Sequence, residues 1–120
     1  MYKRQFLDTA TLDLNGTQHA VVGGTFIGGM HTAANAGAYQ TAVFGFGGVA
    51  IEDGSVRLTP EIPSRWTSLS FTLVVRNQRL DVTIGKSGNV VTARPDNDVA
   101  VRVLTADESN TVEPGGAVRW

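Results

Sequence analysis

The sequence predicts a mainly β protein, in which a β-sandwich beginning at Val49 follows a single buried helix. After residue 48, short runs of alternating apolar and polar residues recur between turn-forming residues, which is typical of two packed antiparallel sheets. Before residue 48, the chain is rich in Gly, Ala and Thr. A chain of 120 residues with 42% hydrophobic and 18% charged residues suits one packed domain with a smaller remnant beside it.

The stretch from His31 to Phe44 predicts the helix. Its many small residues permit close packing, and no proline interrupts it. Tyr39, Val43 and Phe46 are spaced to form one apolar stripe. An alanine-rich helix of this length is marginal by itself in water, so we expect it to be buried against a larger body.

Turn signals divide the second half of the chain into strands. Glu52-Asp53-Gly54-Ser55 predicts a hairpin, because Asp-Gly suits the tight turns that join antiparallel strands. Residues 69–75 alternate strictly and predict a half-buried strand that pairs, across a turn at Asn77, with residues 80–84. The further predicted strands are 90–91, 99–103 and a short one ending at Trp120, and the turns between them are 87–89, 95–98 and 114–116.

Charge and composition exclude several classes of function. The net charge of −1 gives no electrostatic reason to expect nucleic acid or an anionic membrane as a partner. The lack of cysteine excludes disulfides, thiolate metal sites and a cysteine nucleophile. No apolar run approaches the roughly 20 residues of a membrane span, and no signal-like apolar stretch follows Lys3 and Arg4. We therefore expect a cytoplasmic protein with no membrane partner, no cofactor and no metal.

Several motifs invite a functional interpretation that the residues themselves do not favour. Glu52 and Asp53 are adjacent carboxylates at a hairpin tip, where turn chemistry is the better interpretation. Gly45–Gly48 lacks the spacing of a phosphate-binding loop and is interpreted as a helix stop and domain junction. Trp66 and Trp120 could each stack on a sugar ring, but the position of Trp66 before a core strand favours packing.

Two separate parts of the sequence resemble glycoside hydrolase family 65. Residues Gly29–Ala34 and Gly37–Gly48 resemble the last helix of the family's (α/α)6 catalytic barrel. Residues Leu58–Leu73 and Asn77–Ile84 resemble its small C-terminal β-sandwich. The resemblance implies a fold in which the last barrel helix precedes the C-terminal β-sandwich.

The resemblance extends over roughly residues 6–105 and implies a division of the chain. Residues 6–48 would be the C-terminal remnant of the barrel, and residues 49–120 the β-sandwich domain. Residues 1–5 match the translation of a common transposon-based sequencing adapter, so we expect them not to be native protein.

Family members are phosphorylases, and some hydrolases, that act on α-glucosidic disaccharides. The resemblance implies that the parent protein binds such a disaccharide and inorganic phosphate, and forms β-glucose 1-phosphate by inverting phosphorolysis. Hydrolysis of the same linkage is one alternative, and a structural or carbohydrate-binding sandwich without catalysis is another. A homodimer is left open.

The resemblance also assigns the site residues. The glutamate that acts as general acid is expected upstream of this chain, so no catalytic residue is assigned within it and the chain alone is expected to be inactive. His31 matches the histidine of the family's Gly-Ile-His motif at the phosphate site, with Met30 in place of the usual isoleucine. Thr32 would add a hydroxyl at the first turn of the helix, beside its free N–H groups. His31 and Thr32 are therefore the predicted phosphate-binding residues.

Overall fold

The computed structural model of the chain describes residues 2–10 and 32–120. It divides into two compact units, Met1–Ala42 and Val43–Trp120. The first unit contains helix α1 (Tyr2–Ala10) and helix α2 (Thr32–Gln40), which pack against each other. A π-helical segment, Thr41–Phe46, follows α2 in the chain.

The second unit contains all eight strands of the described residues. They are β1 (Val49–Glu52), β2 (Ser55–Leu58), β3 (Ser68–Val75), β4 (Gln78–Gly85), β5 (Gly88–Ala93), β6 (Val101–Leu104), β7 (Ser109–Val112) and β8 (Ala117–Arg119). The prediction of a mainly β protein with a C-terminal sandwich is confirmed. The origin of the preceding helix in an (α/α)6 barrel stays a prediction.

The eight strands form two four-stranded sheets. Sheet A has the order β1-β2-β6-β7, and sheet B has the order β3-β4-β5-β8. Sheet B begins as an antiparallel meander of three consecutive strands, to which the last strand of the chain is added. In sheet A, β2 and β6 run parallel, with Val56 opposite Val103, and all other pairs are antiparallel.

One apolar core lies between the two sheets. Sheet A contributes the fully buried Val56, Leu58 and Val103, and sheet B contributes Leu80 and Val91, all with no measurable exposure. Burying one such side chain stabilises the fold by about 1.5–3 kcal/mol. Strand β4 shows why the sequence predicts which residues enter the core. Its residues alternate between buried and more exposed along its length.

Both predicted hairpin turns are present and have the left-handed backbone that a two-residue turn needs. Asp53 and Gly54 have φ values of 50° and 77°, and Arg76 and Asn77 have φ values of 48° and 66°. Turns of this kind match the twist of the strands they join. The Arg76 guanidinium lies close to the Cα of Gly54, so the two hairpin tips meet.

The predicted helix stop at Gly45–Gly48 is also confirmed, whereas the domain junction there stays a prediction. The π-helical segment ends at Phe46, and β1 starts at Val49. Gly48 has a φ of 62°, and a Cβ built on it would collide with the backbone carbonyl oxygen of Thr59. That approach is held by a hydrogen bond of 3.0 Å from the Thr59 N–H to the Gly48 carbonyl.

The helix differs from its prediction in two respects. Regular α-helix ends at Gln40, and the π-helical segment changes the residues per turn, so Tyr39 does not continue the stripe of Val43 and Phe46. Val43 and Phe46 are buried, but α2 has no buried residue and Tyr39 is 55% exposed. Within the described part of the chain the short α1 packs on α2, and burial of the helix against a larger body stays a prediction.

The turn before β6 is also different from its prediction. The strand begins at Val101, and Val99 is 58% exposed in the preceding turn. The backbone N–H groups of Asp98 and Val99 donate instead to the Gln78 side-chain oxygen, at 2.8 and 3.2 Å. Gln78 is only 5% exposed, so a buried amide takes the place of a strand partner for this segment.

A second amide fixes the same turn to β4. The Asn97 Oδ1 accepts from the Arg79 backbone N–H at 2.7 Å, and its Nδ2 donates to the Arg79 carbonyl at 2.9 Å. The side chain thus satisfies both backbone groups of Arg79, as a neighbouring strand residue would.

Candidate functional site

The structure describes one of the two predicted phosphate-binding residues. Thr32 is the first residue of α2 and is exposed, whereas His31 lies outside the described residues. The first N–H groups of a helix have no partner within it, and the first turn of α2 contains no acidic side chain. The hydroxyl of Thr32 therefore lies where an anion would be favoured, and nothing acidic in that turn opposes it.

The carboxylates at the first hairpin tip serve the turn, as the sequence indicates. Asp53 takes up the left-handed conformation of the turn itself. The Glu52 carboxylate accepts a hydrogen bond of 2.9 Å from Arg57 across the hairpin, and both side chains are about half exposed. Within residues 2–10 and 32–120, no cluster of His, Asp or Glu has the arrangement of a metal site.

Among the described residues, no helix is both long enough and apolar enough to span a membrane.

The outer face of sheet B carries a polar network that sequence reasoning did not identify. Arg94 donates two hydrogen bonds to the Asp81 carboxylate, at 2.9 and 3.0 Å, and the Thr72 hydroxyl donates a third at 2.7 Å. The Arg94 guanidinium lowers the pKa of the Asp81 carboxyl, and the Thr72 hydroxyl lowers that pKa further. The register that places Thr72 opposite Asp81 is the only signal that could have shown this, because the three residues lie on separate segments of the sheet.

Removing Arg94 is expected to raise the pKa of Asp81 more than removing the Thr72 hydroxyl does. The guanidinium supplies both hydrogen bonds and positive charge, whereas the hydroxyl supplies one hydrogen bond. The measurement is an NMR titration of the Asp81 carboxyl carbon in Arg94→Ala and Thr72→Val, with Arg57→Ala as a control on the other sheet. A larger rise in Thr72→Val than in Arg94→Ala would contradict the assignment.

The same pKa shift has a defined effect on stability. Because the pKa of folded Asp81 lies below its unfolded value, its stabilising contribution is present above about pH 4 and is lost as the pH falls through the folded pKa. The contribution is small, since the side chains of Asp81 and Arg94 are 46% and 39% exposed.

The two tryptophans have different surroundings. The Trp66 ring is half-buried and meets the Phe46 ring edge to face, with centroids 5.3 Å apart, which agrees with the predicted packing role. Trp120 also packs partly on the core, but it lines an open groove as well.

This groove lies at one end of sheet B and has a volume of about 510 Å³. It is lined by Thr83, residues 87–90, Arg119 and Trp120. Thr83, Val90 and Arg119 are brought together by the strand register, which places each opposite the next on β4, β5 and β8. The backbones of Asn89 and Trp120 exchange two hydrogen bonds, of 2.9 and 3.2 Å, and these fix the wall of the groove.

Comparison with known proteins gives the class and then the family. The profile of the C-terminal domain of glycosyl hydrolase family 65, a family of carbohydrate-active enzymes, matches residues 49–112. This match covers more than half of the chain. The chain therefore belongs to glycoside hydrolase family 65, as the resemblance predicted.

The curated relatives are named as phosphorylases. A 1,2-α-glucosylglycerol phosphorylase from Bacillus selenitireducens is 38% identical over 94 residues, covering 78% of this chain and 12% of the relative. A nigerose phosphorylase from Lachnoclostridium phytofermentans is 37% identical over 81 residues, covering 68% of this chain and 11% of the relative. The chain thus spans about a tenth of the length of these relatives.

A solved structure supports the fold independently. A protein from the human microbiome assigned as a kojibiose phosphorylase superposes with a TM-score of 0.66 over 77% of this chain and 12% of that chain. The identity is 22%, so this similarity concerns the fold alone.

Proposed function

We propose that this chain is the C-terminal part of an enzyme that cleaves an α-glucosidic disaccharide by inverting phosphorolysis and forms β-glucose 1-phosphate. The observation that carries the proposal is the match of the sandwich, residues 49–112, to the C-terminal domain of the family. The names of the curated relatives, which are phosphorylases, favour phosphate over water as the attacking group.

In this proposal the chemistry is divided between the parent protein and the present chain. A glutamic acid in the parent protonates the leaving glycosidic oxygen while phosphate attacks the anomeric carbon from the opposite face. One carboxylic acid is sufficient, because phosphate replaces the water that a second carboxylate would activate in an inverting hydrolase. The present chain would contribute His31 and Thr32 at the start of α2 to hold the phosphate.

Two features of the described residues support this division. Glu52 pairs with Arg57, and Asp81 pairs with Arg94, so each of these carboxylates already has an ion-pair partner within the sandwich. Thr32 is exposed at a helix start without acidic neighbours in its turn, as an anion ligand requires.

The chain by itself is expected to show no activity, because it lacks the general acid. The measurement is release of glucose or glucose 1-phosphate from kojibiose, nigerose and trehalose by the purified chain, with and without phosphate. In the full-length parent, glucose 1-phosphate should form only when phosphate is present. Cleavage by the chain alone would contradict the division of roles, and phosphate-independent release of glucose by the parent would identify a hydrolase.

The role of His31 is tested by a variant of the full-length parent. His31→Ala is expected to raise the KM for phosphate by roughly tenfold or more, the loss of one charge-assisted hydrogen bond, with a smaller change in the KM for the disaccharide. His19→Ala is the matched control, since His19 is the other histidine of the chain and the resemblance assigns it no role. An unchanged KM for phosphate would count against the assignment.

A further inference from the structure

Strand β3 lies at one edge of sheet B and is paired on one side only. Its single neighbour in the sheet is β4, and the two strands pair through eight consecutive residues of β3 without a bulge. Within the described part of the chain, no loop or side chain forms a hydrogen bond with the backbone of β3 along its other side. We call this other side the free edge of β3.

The hairpin turn determines which backbone groups point to the free edge. In a two-residue turn the flanking residues, here Val75 and Gln78, exchange hydrogen bonds, and bonded and non-bonded pairs then alternate along the ladder. The Lys86 N–H donates to the Thr67 carbonyl at 3.4 Å, which continues the same alternation at the other end of the hairpin. The backbone groups of every second residue therefore point outwards. These residues, all of them exposed, are Ser68, Ser70, Thr72 and Val74.

The free edge lacks the features that usually prevent strands of different molecules from pairing. Exposed edge strands are commonly short, bulged, or interrupted by charged residues or proline. Strand β3 has eight residues and contains no charged residue, no proline and no glycine. The other edge strands have four residues or fewer, and β1 and β8 each include a charged residue. Among the described strands, β3 is therefore the edge best suited to accept a partner strand.

Two apolar side chains of β3 are incompletely covered. Leu69 and Phe71 point towards the core but are only half-buried, whereas Leu73 and Val75 on the same face are buried. A strand added to the free edge would lie beside Leu69 and Phe71 and would remove more of their surface from water. Hydrophobic burial would thus add to the main-chain hydrogen bonds of such a pairing.

A second copy of this chain fits the free edge in an antiparallel register that uses all four outward residues. In this register Ser70 lies opposite the partner's Thr72, and Ser68 lies opposite the partner's Val74. Phe71 then meets its own counterpart on the two-fold axis. No like charges meet within the strand pair, because β3 has no charged residue. The pairing uses the free edge of both copies, so the assembly closes as a dimer.

We propose that the free edge of β3 is a homodimer interface, in which two copies pair antiparallel and join their four-stranded B sheets into one continuous sheet. An interface made by one pair of strands is small, so we expect a transient dimer with a Kd on the order of 10–100 µM. The proposal concerns the sandwich and holds whether or not the parent uses phosphate, so its test is separate from that of the proposed function.

Hydrogen exchange of the 120-residue chain at increasing concentration tests the interface without any substitution. The amides of Phe71 and Leu73 donate to β4 and should be protected at every concentration. The amides of Ser70 and Thr72 should exchange freely in the monomer and slow severalfold as sedimentation shows the dimer forming. A chain that stays monomeric at about 1 mM, well above the expected Kd, would overturn the proposal. So would a dimer that forms without this alternating protection.

A proline variant tests the main-chain hydrogen bonds. Ser70→Pro removes an outward N–H and leaves the hydrogen bonds to β4 in place. The dimer loses two hydrogen bonds, one from each copy, so the Kd should rise roughly thirtyfold or more. Thr111→Pro is the matched control on edge strand β7, where the bond from Thr105 to Glu108 indicates that the Thr111 N–H also points outwards, and its Kd should not change.

An unchanged Kd in a folded Ser70→Pro variant would contradict the proposal. If Ser70→Pro does not fold, as judged from its urea unfolding curve, the exchange pattern of the unsubstituted chain decides the question.

Single-cysteine variants test the register of the pairing. The chain contains no cysteine, so each variant has one thiol. Phe71→Cys places the two thiols together at the two-fold axis, within reach of a disulfide bond. Leu69→Cys is the matched control, because its two thiols lie about 13 Å apart along the strands, too far for a disulfide. Under mild oxidation, cross-linking that does not favour Phe71→Cys over Leu69→Cys would overturn the proposed pairing.

Discussion

Gly48→Ala is expected to destabilise the sandwich by about 3–5 kcal/mol, or to prevent it from folding, through backbone strain and a steric clash together. A non-glycine residue in the left-handed region costs roughly 1–2 kcal/mol on its own. The added Cβ would also collide with the Thr59 carbonyl oxygen, which cannot retreat without breaking the hydrogen bond between Thr59 and Gly48. The measurement is the urea unfolding midpoint followed by tryptophan fluorescence, since Trp66 and Trp120 both lie in the β unit.

Two further variants separate the strain from the clash. Gly85→Ala is the matched control, because Gly85 has no positive φ and the nearest atom to its added Cβ is at 3.4 Å. It should change stability by less than about 1 kcal/mol. Gly48→Asn tolerates the left-handed conformation but still places a Cβ against Thr59, so it should remain strongly destabilised. Wild-type stability of Gly48→Asn would show that φ alone explains the glycine.

Gln78→Leu is expected to destabilise the protein by about 2–4 kcal/mol, because it leaves two backbone donors without an acceptor. The Asp98 and Val99 N–H groups both donate to the Gln78 side-chain oxygen, and the Gln78 amide donates to the Arg76 carbonyl at 3.3 Å. Leucine preserves most of the buried volume, so the loss would measure hydrogen bonding more than packing.

Hydrogen exchange tests the effect of Gln78→Leu on these hydrogen bonds directly. The amides of Asp98 and Val99 should lose their protection from exchange in Gln78→Leu. The amides of strand β4 should lose only as much protection as the fall in global stability predicts. Arg79→Ala, one residue further along and exposed, is the control and should have little effect. Unchanged protection of Asp98 and Val99 would contradict the role of the buried amide.

The hairpins were predictable from the sequence because their signals are local. Alternation over residues 69–75 and 80–84, with left-handed-tolerant residues between them, fixes both the strands and their register.

Strand β7 was missed for an equally local reason. Its inward positions are Asn110, opposite the buried Val103, and Val112, so it shows no apolar alternation. The Asn110 Nδ2 is buried without a hydrogen-bond partner among the described residues, and no sequence pattern predicts such a group.

The candidate sites also differ in how far the sequence could predict them. His31 and Thr32 were assigned through a resemblance that depends on motif order, so the order of residues along the chain is enough to name them. The groove could not be found in that way, because Thr83, Asn89 and Arg119 are brought together only by the pairing of three strands. Burial of α2 against a larger body stays a prediction, since an apolar face predicts that something covers it but not that the cover lies within the same chain.

The parallel pairing of β2 with β6 has a consequence for how the domain folds. Val56 and Val103 are far apart in the sequence, and the chain between them forms the consecutive strands of sheet B. The entropy lost in closing so long a loop is recovered only after that intervening meander is in place. The β3–β5 meander of sheet B, built from neighbouring hairpins, would therefore form early, and the pairings of β6 in sheet A and of β8 in sheet B would follow. While β6 is still inside the ribosome during synthesis, β2 has no partner strand on its open edge. The nascent chain is then most exposed to aggregation.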